Sequence, residues 1–314
     1  MTVPADYAIR CEQLTRTYPG QHVAVDGLAL NVKRGEVFGF LGPNGAGKST
    51  TTRMLCGLLR PTAGTALVAG IDVARDPEAV KRRIGYVAQA FSFYADLTAI
   101  ENMDFAARLY RVPAATARQR RDELIERTGF GEHAGKLAKA LSGGWRQKLA
   151  VCCALLHDPE IIFLDEPTAG IDPVSRRDLW ELLLELSSRG KTIFVTTHYM
   201  DEAERCDNVG FMFMGRLVAH GNPQEVETAF NGGKILEIRT SSTIGALRAL
   251  QKHPDLGSAQ VFYDTIHVVS KDMDTVAPRI RQTLEAEQIA VHSISAIVPS
   301  LEDIFIHFIH EARR

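Results

Sequence analysis

Gly42-Pro43-Asn44-Gly45-Ala46-Gly47-Lys48-Ser49 decides the reading of this sequence. It fits the pattern G-x-x-x-x-G-K-[ST]. Its context fits too: the apolar run Glu36 to Leu41 reads as a strand before it, and Met54, Leu55, Leu58 and Leu59 read as an amphipathic helix after it. Glycines let successive backbone N–H groups turn inward around a phosphate, and a helix N-terminus adds partial positive charge. Lys48 has the reach for β- and γ-phosphates, and the Ser49 hydroxyl can ligate Mg²⁺. Residues Gly42 to Ser49, with Thr50 after them, are the candidate nucleotide-phosphate cradle.

A second segment, Ile161-Ile162-Phe163-Leu164-Asp165-Glu166, complements it. A buried strand ending in a carboxylate delivers that group to the C-terminal edge of a sheet, where ligands bind. Asp165 is the candidate Mg²⁺ residue and Glu166 the candidate base for an attacking water.

Working outward, Arg83 to Val87, Thr192 to Thr196 and Val209 to Phe213 are further apolar runs. Such runs separated by helical segments predict a parallel sheet buried on both faces. Leu179, Leu182, Leu183 and Leu186 follow helical spacing, as do Leu149, Cys152, Cys153 and Leu156. From Gln89 to Leu141 the strand pattern disappears. Thr98-x-x-Glu101 is a capping box that predicts a helix to about Arg111, and a charged helix is expected near Arg118 to Thr128. Arg118, Arg120 and Arg121 are interleaved with Asp122, Glu123 and Glu126, which reads as a solvated helix face. The stretch is a helical insertion at about 90–160 within an α/β domain of residues 1–222.

After Gly221-Asn222-Pro223 the pattern changes. Strands are expected at Lys234–Thr240, Ser258–Tyr263, Ile266–Ser270 and Ala290–Ile297, with helices near Ile244–Lys252 and Thr275–Gln288. Leu301, Ile304, Phe305, Phe308 and Ile309 lie on one helical stripe. Residues 223–314 read as a small α+β domain. His253, His267, His292, His307 and His310 are scattered through it without a recognisable ligand set.

Composition sets limits on function. The 314 residues carry 36 Lys plus Arg and 38 Asp plus Glu, a net charge of −2 that gives no bias toward nucleic acid. No apolar run approaches the ~18–20 residues that cross a bilayer, and Met1 to Arg10 lacks a signal-peptide pattern. The five cysteines are odd in number and form no C-x-x-C, which predicts buried reduced thiols in a cytosolic protein.

The motifs together resemble those of the ATP-binding subunits of ABC transporters, over about residues 5–222. Leu141-Ser142-Gly143-Gly144-Trp145-Arg146-Gln147 resembles the family's signature motif, and Gln89 after the Arg83–Val87 strand resembles its Q-loop glutamine. Gly170-Ile171-Asp172 resembles the D-loop, His198 the switch histidine, and Tyr18 the aromatic that stacks on adenine. The resemblance implies an α/β P-loop ATPase fold with ATP and Mg²⁺ as cofactors. It also implies two subunits meeting head to tail, with Ser142 and the Gly143–Gly144 backbone of one capping the γ-phosphate held by the other. Gln89 would touch Mg²⁺ or water, His198 would contact the γ-phosphate and orient Glu166, and Asp172 would face the opposite subunit.

Trp145 stands where the family more often has Gln or Glu. With Gln147, Lys148, the phrase Phe38-Gly39-Phe40-Leu41-Gly42-Pro43 and the ending Val298 to Phe305, it resembles the ABC-2 type multidrug-export branch. That branch implies a second ATPase copy or paralogue and integral-membrane permease subunits as partners, at the inner face of the cell membrane. Exposed apolar residues among Phe91, Phe93 and Tyr94 are the expected permease socket. The alternative is a non-transport ABC ATPase acting on nucleic acid or ribosomes. The chain has no long coiled-coil arms and no second phosphate loop to support it.

Overall fold

Two 12-residue strands, β1 (Tyr7–Tyr18) and β2 (His22–Lys33), open the chain in a computed structural model that describes residues 6–90, 93–230, 234–270 and 272–312. No continuous apolar run precedes Glu36, so the sequence alone predicts no strand there. These two alternate and bulge instead: their pairing slips at several points, and Gln13 sits at φ 49°. β3 (Val37–Leu41) follows, buried throughout, and α1 (Lys48–Leu55) rises from the loop after it. The expected helix through Leu58 and Leu59 is shortened. It ends at Leu55, Gly57 turns the chain at φ 65°, and Leu58 is left 52% exposed. β4 (Ala63–Val68) and β5 (Ile71–Asp72) complete an antiparallel sheet in the order β2-β1-β4-β5.

α2 (Pro77–Arg83), capped by the Asp76 carboxylate, leads into β6 (Ile84–Val87). Among the described residues from Gln89 to Leu141 there is no strand. Thr98 and Glu101 cap α3 (Ala99–Leu109) reciprocally, as the sequence predicts. α4 (Ala114–Arg127) begins directly after Pro113 rather than near Arg118. Arg121 bonds Asp104 at 2.9 Å and Arg120 approaches Asp158 at 3.4 Å, so that face is ion-paired.

The first unit continues through α5 (Gly143–Leu155), β7 (Ile161–Asp165), α6 (Pro173–Ser188), β8 (Thr192–Thr197), α7 (Met200–Ala203), β9 (Asn208–Phe213) and β10 (Arg216–Gly221). Six strands form a sheet in the order β10-β9-β3-β8-β7-β6, parallel except for the β9–β10 hairpin. The Phe194 ring packs 5.5 Å from Phe38 and 5.3 Å from Phe163, all three fully buried. Each such ring is worth about 1.5–3 kcal/mol of burial, and together they lock β7, β8 and β3 side by side. Parallel register then brings Leu41 opposite Thr197 and Asp165 opposite Thr196 at one sheet edge.

The contacts divide the chain into residues 1–222 and 223–314. The second unit comprises α8 (Pro223–Ala229), which the sequence does not signal, then β11 (Lys234–Thr240), α9 (Thr243–Gln251), β12 (Ser258–Phe262), β13 (Thr265–Ser270), α10 (Met273–Ala286), β14 (Val291–Ile297) and α11 (Leu301–Ala312). Its antiparallel sheet runs β12-β13-β11-β14. Leu236, Ile238, Ile266 and Val268 bury one face against Leu250, Ile280 and Leu284 of α9 and α10. His267 is not an isolated histidine: its Nδ1 lies 2.7 Å from Asp303 Oδ1, both side chains buried. Thirty-six positions separate the pair in sequence, so only the fold brings them together.

All five cysteines are free, and burial pushes the Cys11 thiol up to about 12. Among the described residues no helix is long and apolar enough to cross a membrane.

Candidate active site

The site is assembled at the edge where β3, β7 and β8 end. Gly47 caps α1 at φ 108°, and a Cβ there would meet the Ala24 carbonyl oxygen at 2.3 Å. No side chain caps this helix, so its first N–H groups are available to an anion. Lys48 is buried and arches back over the loop, donating to the carbonyls of Gly42 at 2.7 Å and Pro43 at 3.2 Å. Its Nζ lies 3.3 Å from Glu166 Oε1.

Asp165 ends β7 with 1% exposure. Its Oδ1 accepts from the Ser49 hydroxyl at 3.0 Å and from the Thr196 hydroxyl at 2.8 Å. Among the described residues no cation pairs with it. A buried carboxylate held by hydroxyls, beside a phosphate cradle, is a donor set that fits a hard divalent ion such as Mg²⁺.

Glu166 follows at φ 50°, a conformation that costs a non-glycine residue free energy and is held here by its surroundings. Its N–H donates to Thr196 Oγ1 at 2.9 Å. Its Oε2 accepts from Gln89 Nε2 at 3.0 Å and lies 3.9 Å from His198 Nδ1. One carboxylate is thus surrounded by Lys48, Gln89 and His198. Thr196 orients both acids and was not singled out by its sequence; the hydroxyl at the end of a buried strand, two residues before His198, is the available signal.

A cleft of about 370 Å³ lies over the loop, lined by Tyr18, His22, Ala24, residues 43–50, Gln89 and Glu166. The Arg16 guanidinium stands 4.9 Å from the Tyr18 ring centre. His22 and Ala24, on β2, are lining residues that the sequence motifs do not mark.

Ser142, Gly143, Gly144 and Asp172 are absent from that lining. They meet each other instead. Ser142 caps α5, its Oγ accepting from the Trp145 N–H at 3.5 Å. A Cβ on Gly144 would come within 2.1 Å of Ser175 Oγ, so only glycine lets α5 pack this closely on α6. Asp172 caps α6, accepting from the N–H groups of Val174 and Ser175 and from Ser175 Oγ at 2.6 Å. Those bonds, the Ser175 hydroxyl first, hold its carboxyl below the usual range. Trp145 is braced by His133 at 4.1 Å and Phe130 at 5.2 Å, with Lys148 Nζ 4.7 Å over its ring.

Comparison with known proteins shows the family. The ABC transporter family profile matches residues 25–169, and the profile of the ATP-binding protein DrrA1-3-like C-terminal domain matches residues 221–309. The chain is 36% identical over 317 residues to the daunorubicin resistance ATP-binding protein DrrA3 of Streptomyces coeruleorubidus, covering 99% of this chain and 98% of that protein. It is 38% identical over 269 residues to the probable multidrug ABC transporter ATP-binding protein YbhF of Escherichia coli (strain K12). That match takes in 86% of this chain but spans less than half, 43%, of YbhF. Among solved structures, the dimeric post-hydrolysis state of the ATP-binding cassette MJ0796 bound to ADP and Pi superposes with a TM-score of 0.63 at 28% identity. It covers 68% of this chain and 98% of that one. With the phosphate loop, the paired carboxylates and the Ser-Gly-Gly helix start in these positions, the chain belongs to the ATP-binding proteins of ABC transporters, in the group that carries the DrrA-like C-terminal domain.

Proposed function

We propose that the chain is the ATP-hydrolysing subunit that powers export of a drug-like or lipid-like small molecule through separate permease subunits. The observation that carries this reading is Glu166, whose carboxylate, 9% exposed, is held over the phosphate loop between Lys48, Gln89 and His198. Tyr18 would stack on the base. The N–H groups of residues 43–50 and the Lys48 ammonium would hold the phosphates, and Ser49 and Asp165, with Gln89 through water, would hold Mg²⁺. That ion would supply charge neutralisation on the phosphates. Glu166 would take the proton of the attacking water, and His198, 3.9 Å away, would orient it against the γ-phosphate.

The Ser142–Gly144 helix start lies outside the cleft that Lys48 and Glu166 line. It serves a nucleotide held by a second copy or a paralogue, docked head to tail, in keeping with the dimeric MJ0796 cassette. Asp172 stands exposed next to that surface for contact across the interface. ATP then joins the two copies and its hydrolysis removes the attraction.

Residues 1–222 form the ATP-binding domain in this reading, with the insertion at about 90–160 as the permease-facing part. Phe93, Tyr94, Phe105 and Leu109 line a cavity of about 210 Å³, and Tyr94 and Leu109 are 54% and 67% exposed. This is the socket for a permease segment at the inner membrane face; Phe91 lies outside the described residues. Residues 223–314 would support the dimer. The names of DrrA3 and YbhF point to drug resistance and multidrug transport. The test is co-purification of the chain with its permease, followed by ATP hydrolysis and export assays. Phe93→Asp should leave nucleotide binding intact and abolish export; full export by that variant removes the socket.

A further inference from the structure

α6 connects the two surfaces just described. Its first turn holds the Asp172–Ser175 cap against which Gly144 packs. The next residue, Arg176, reaches the segment that follows His198. Arg176 Nε donates to Glu202 Oε1 at 2.7 Å, and its Nη2 donates to the two Asp201 carboxylate oxygens at 2.7 and 2.9 Å. The guanidinium carbon lies 4.3 Å from the Tyr199 ring centre. The Tyr199 ring lies 4.1 Å from the His198 imidazole, tilted by 36°. His198 Nδ1 stands 3.9 Å from Glu166.

The strength of these links differs. Asp201 is 66% exposed, so its pairing contributes little. The Glu202 carboxylate is 1% exposed, and among the described residues Arg176 is the only cation within ion-pair distance of it. A buried carboxylate stripped of its cation is strongly unfavourable. That bond therefore sets where α7 sits relative to α6. The planar guanidinium also stacks on Tyr199 while it bonds two carboxylates, a combination that the compact lysine ammonium does not offer.

We propose that Arg176 is a positioning residue for ATP hydrolysis: through Tyr199 it fixes His198 beside Glu166, and through α6 it makes that placement depend on the Ser142–Gly144 surface. Each copy's switch histidine would thus respond to whether its own signature surface is engaged by the other copy's nucleotide. The inference rests on the roles of Glu166 and His198 proposed above.

Steady-state ATP hydrolysis by the full chain tests it, with binding of a fluorescent ATP analogue measured on the same variants. Arg176→Lys keeps the charge opposite Glu202 and should lower kcat about tenfold, a fraction of the range carried by an acid–base group itself, while KM and analogue binding change less than about twofold. Tyr199→Leu leaves the ion pair in place and should behave alike. Arg176→Met combined with Glu202→Gln removes the pair without stranding a charge, and should match them if Arg176→Lys folds poorly. Because Arg176 acts through His198, Arg176→Lys added to His198→Ala should slow the enzyme no further. Multiplying losses in that double variant, a KM that rises in step with the fall in kcat/KM, or wild-type kcat in Arg176→Lys beside a slow His198→Ala would overturn the positioning role alone. Wild-type kcat in His198→Ala would overturn the site assignment and the inference with it.

Discussion

Two helix starts in this chain are built on glycines, and they differ in what surrounds them. α1 is capped by Gly47, which offers no side chain, and Lys48, Ser49, Asp165 and Glu166 crowd beside it. α5 is capped by Ser142 over a long 3.5 Å bond, and its glycines press against Asp172 and Ser175 rather than facing a base. The first carries anion donors, a cation and two carboxylates together. The second sets its donors beside an Asp172 carboxylate that is tied up in the cap of α6. A helix N-terminus attracts phosphate wherever it is free; in the proposed reading only the first is equipped to break a phosphate bond.

The comparison can be broken most forcefully at Glu166. Glu166→Gln should lower phosphate release about 10²–10⁴-fold, the usual worth of a placed acid–base group, with ATP still bound. Unchanged turnover would erase the difference between the two helix starts. Lys48→Ala should weaken ATP binding about 10–100-fold by equilibrium titration, corresponding to hydrogen bonds to a charged group. Equal weakening by Ser142→Ala in the isolated monomer would mean that both surfaces serve one chain's own nucleotide. Gly144→Ala forces a methyl into Ser175, at about 1–3 kcal/mol of overpacking. It should lower the melting temperature and slow hydrolysis while sparing ATP binding. The smallest effect belongs to Ser142→Ala on stability, about 0.5 kcal/mol by urea titration for so long a cap bond. A much larger loss would show that Ser142 mainly holds its own helix together.

What could be seen in the sequence divides along the same physical line. β3, the phosphate loop and β7 are local: a short apolar run, then glycines, or four apolar residues, then two acids. The capping box of α3 is equally local. Thr196 escaped because its role comes from register, the pairing of Asp165 with Thr196 across two parallel strands. The Gly144–Ser175 contact joins α5 to α6, and Arg176–Glu202 joins α6 to α7; neither leaves a mark at fixed spacing. β1 and β2 escaped because their apolar residues alternate, as Leu28, Leu30 and Val32 do, instead of forming a continuous run, and because bulges break the pattern elsewhere. Leu58 misled for the opposite reason: its spacing is helical, but Gly57 ends the turn before it.

The central claim is that a nucleotide held by α1 of one copy is completed by α5 of another. Sedimentation of the Glu166→Gln chain tests it directly, in ATP with Mg²⁺ and in ADP. The account predicts a dimer in ATP, a monomer in ADP, and no ATP dimer when Ser142→Arg is added to block the second surface. A Glu166→Gln chain that stays monomeric in ATP, or a dimer indifferent to Ser142→Arg, would contradict it.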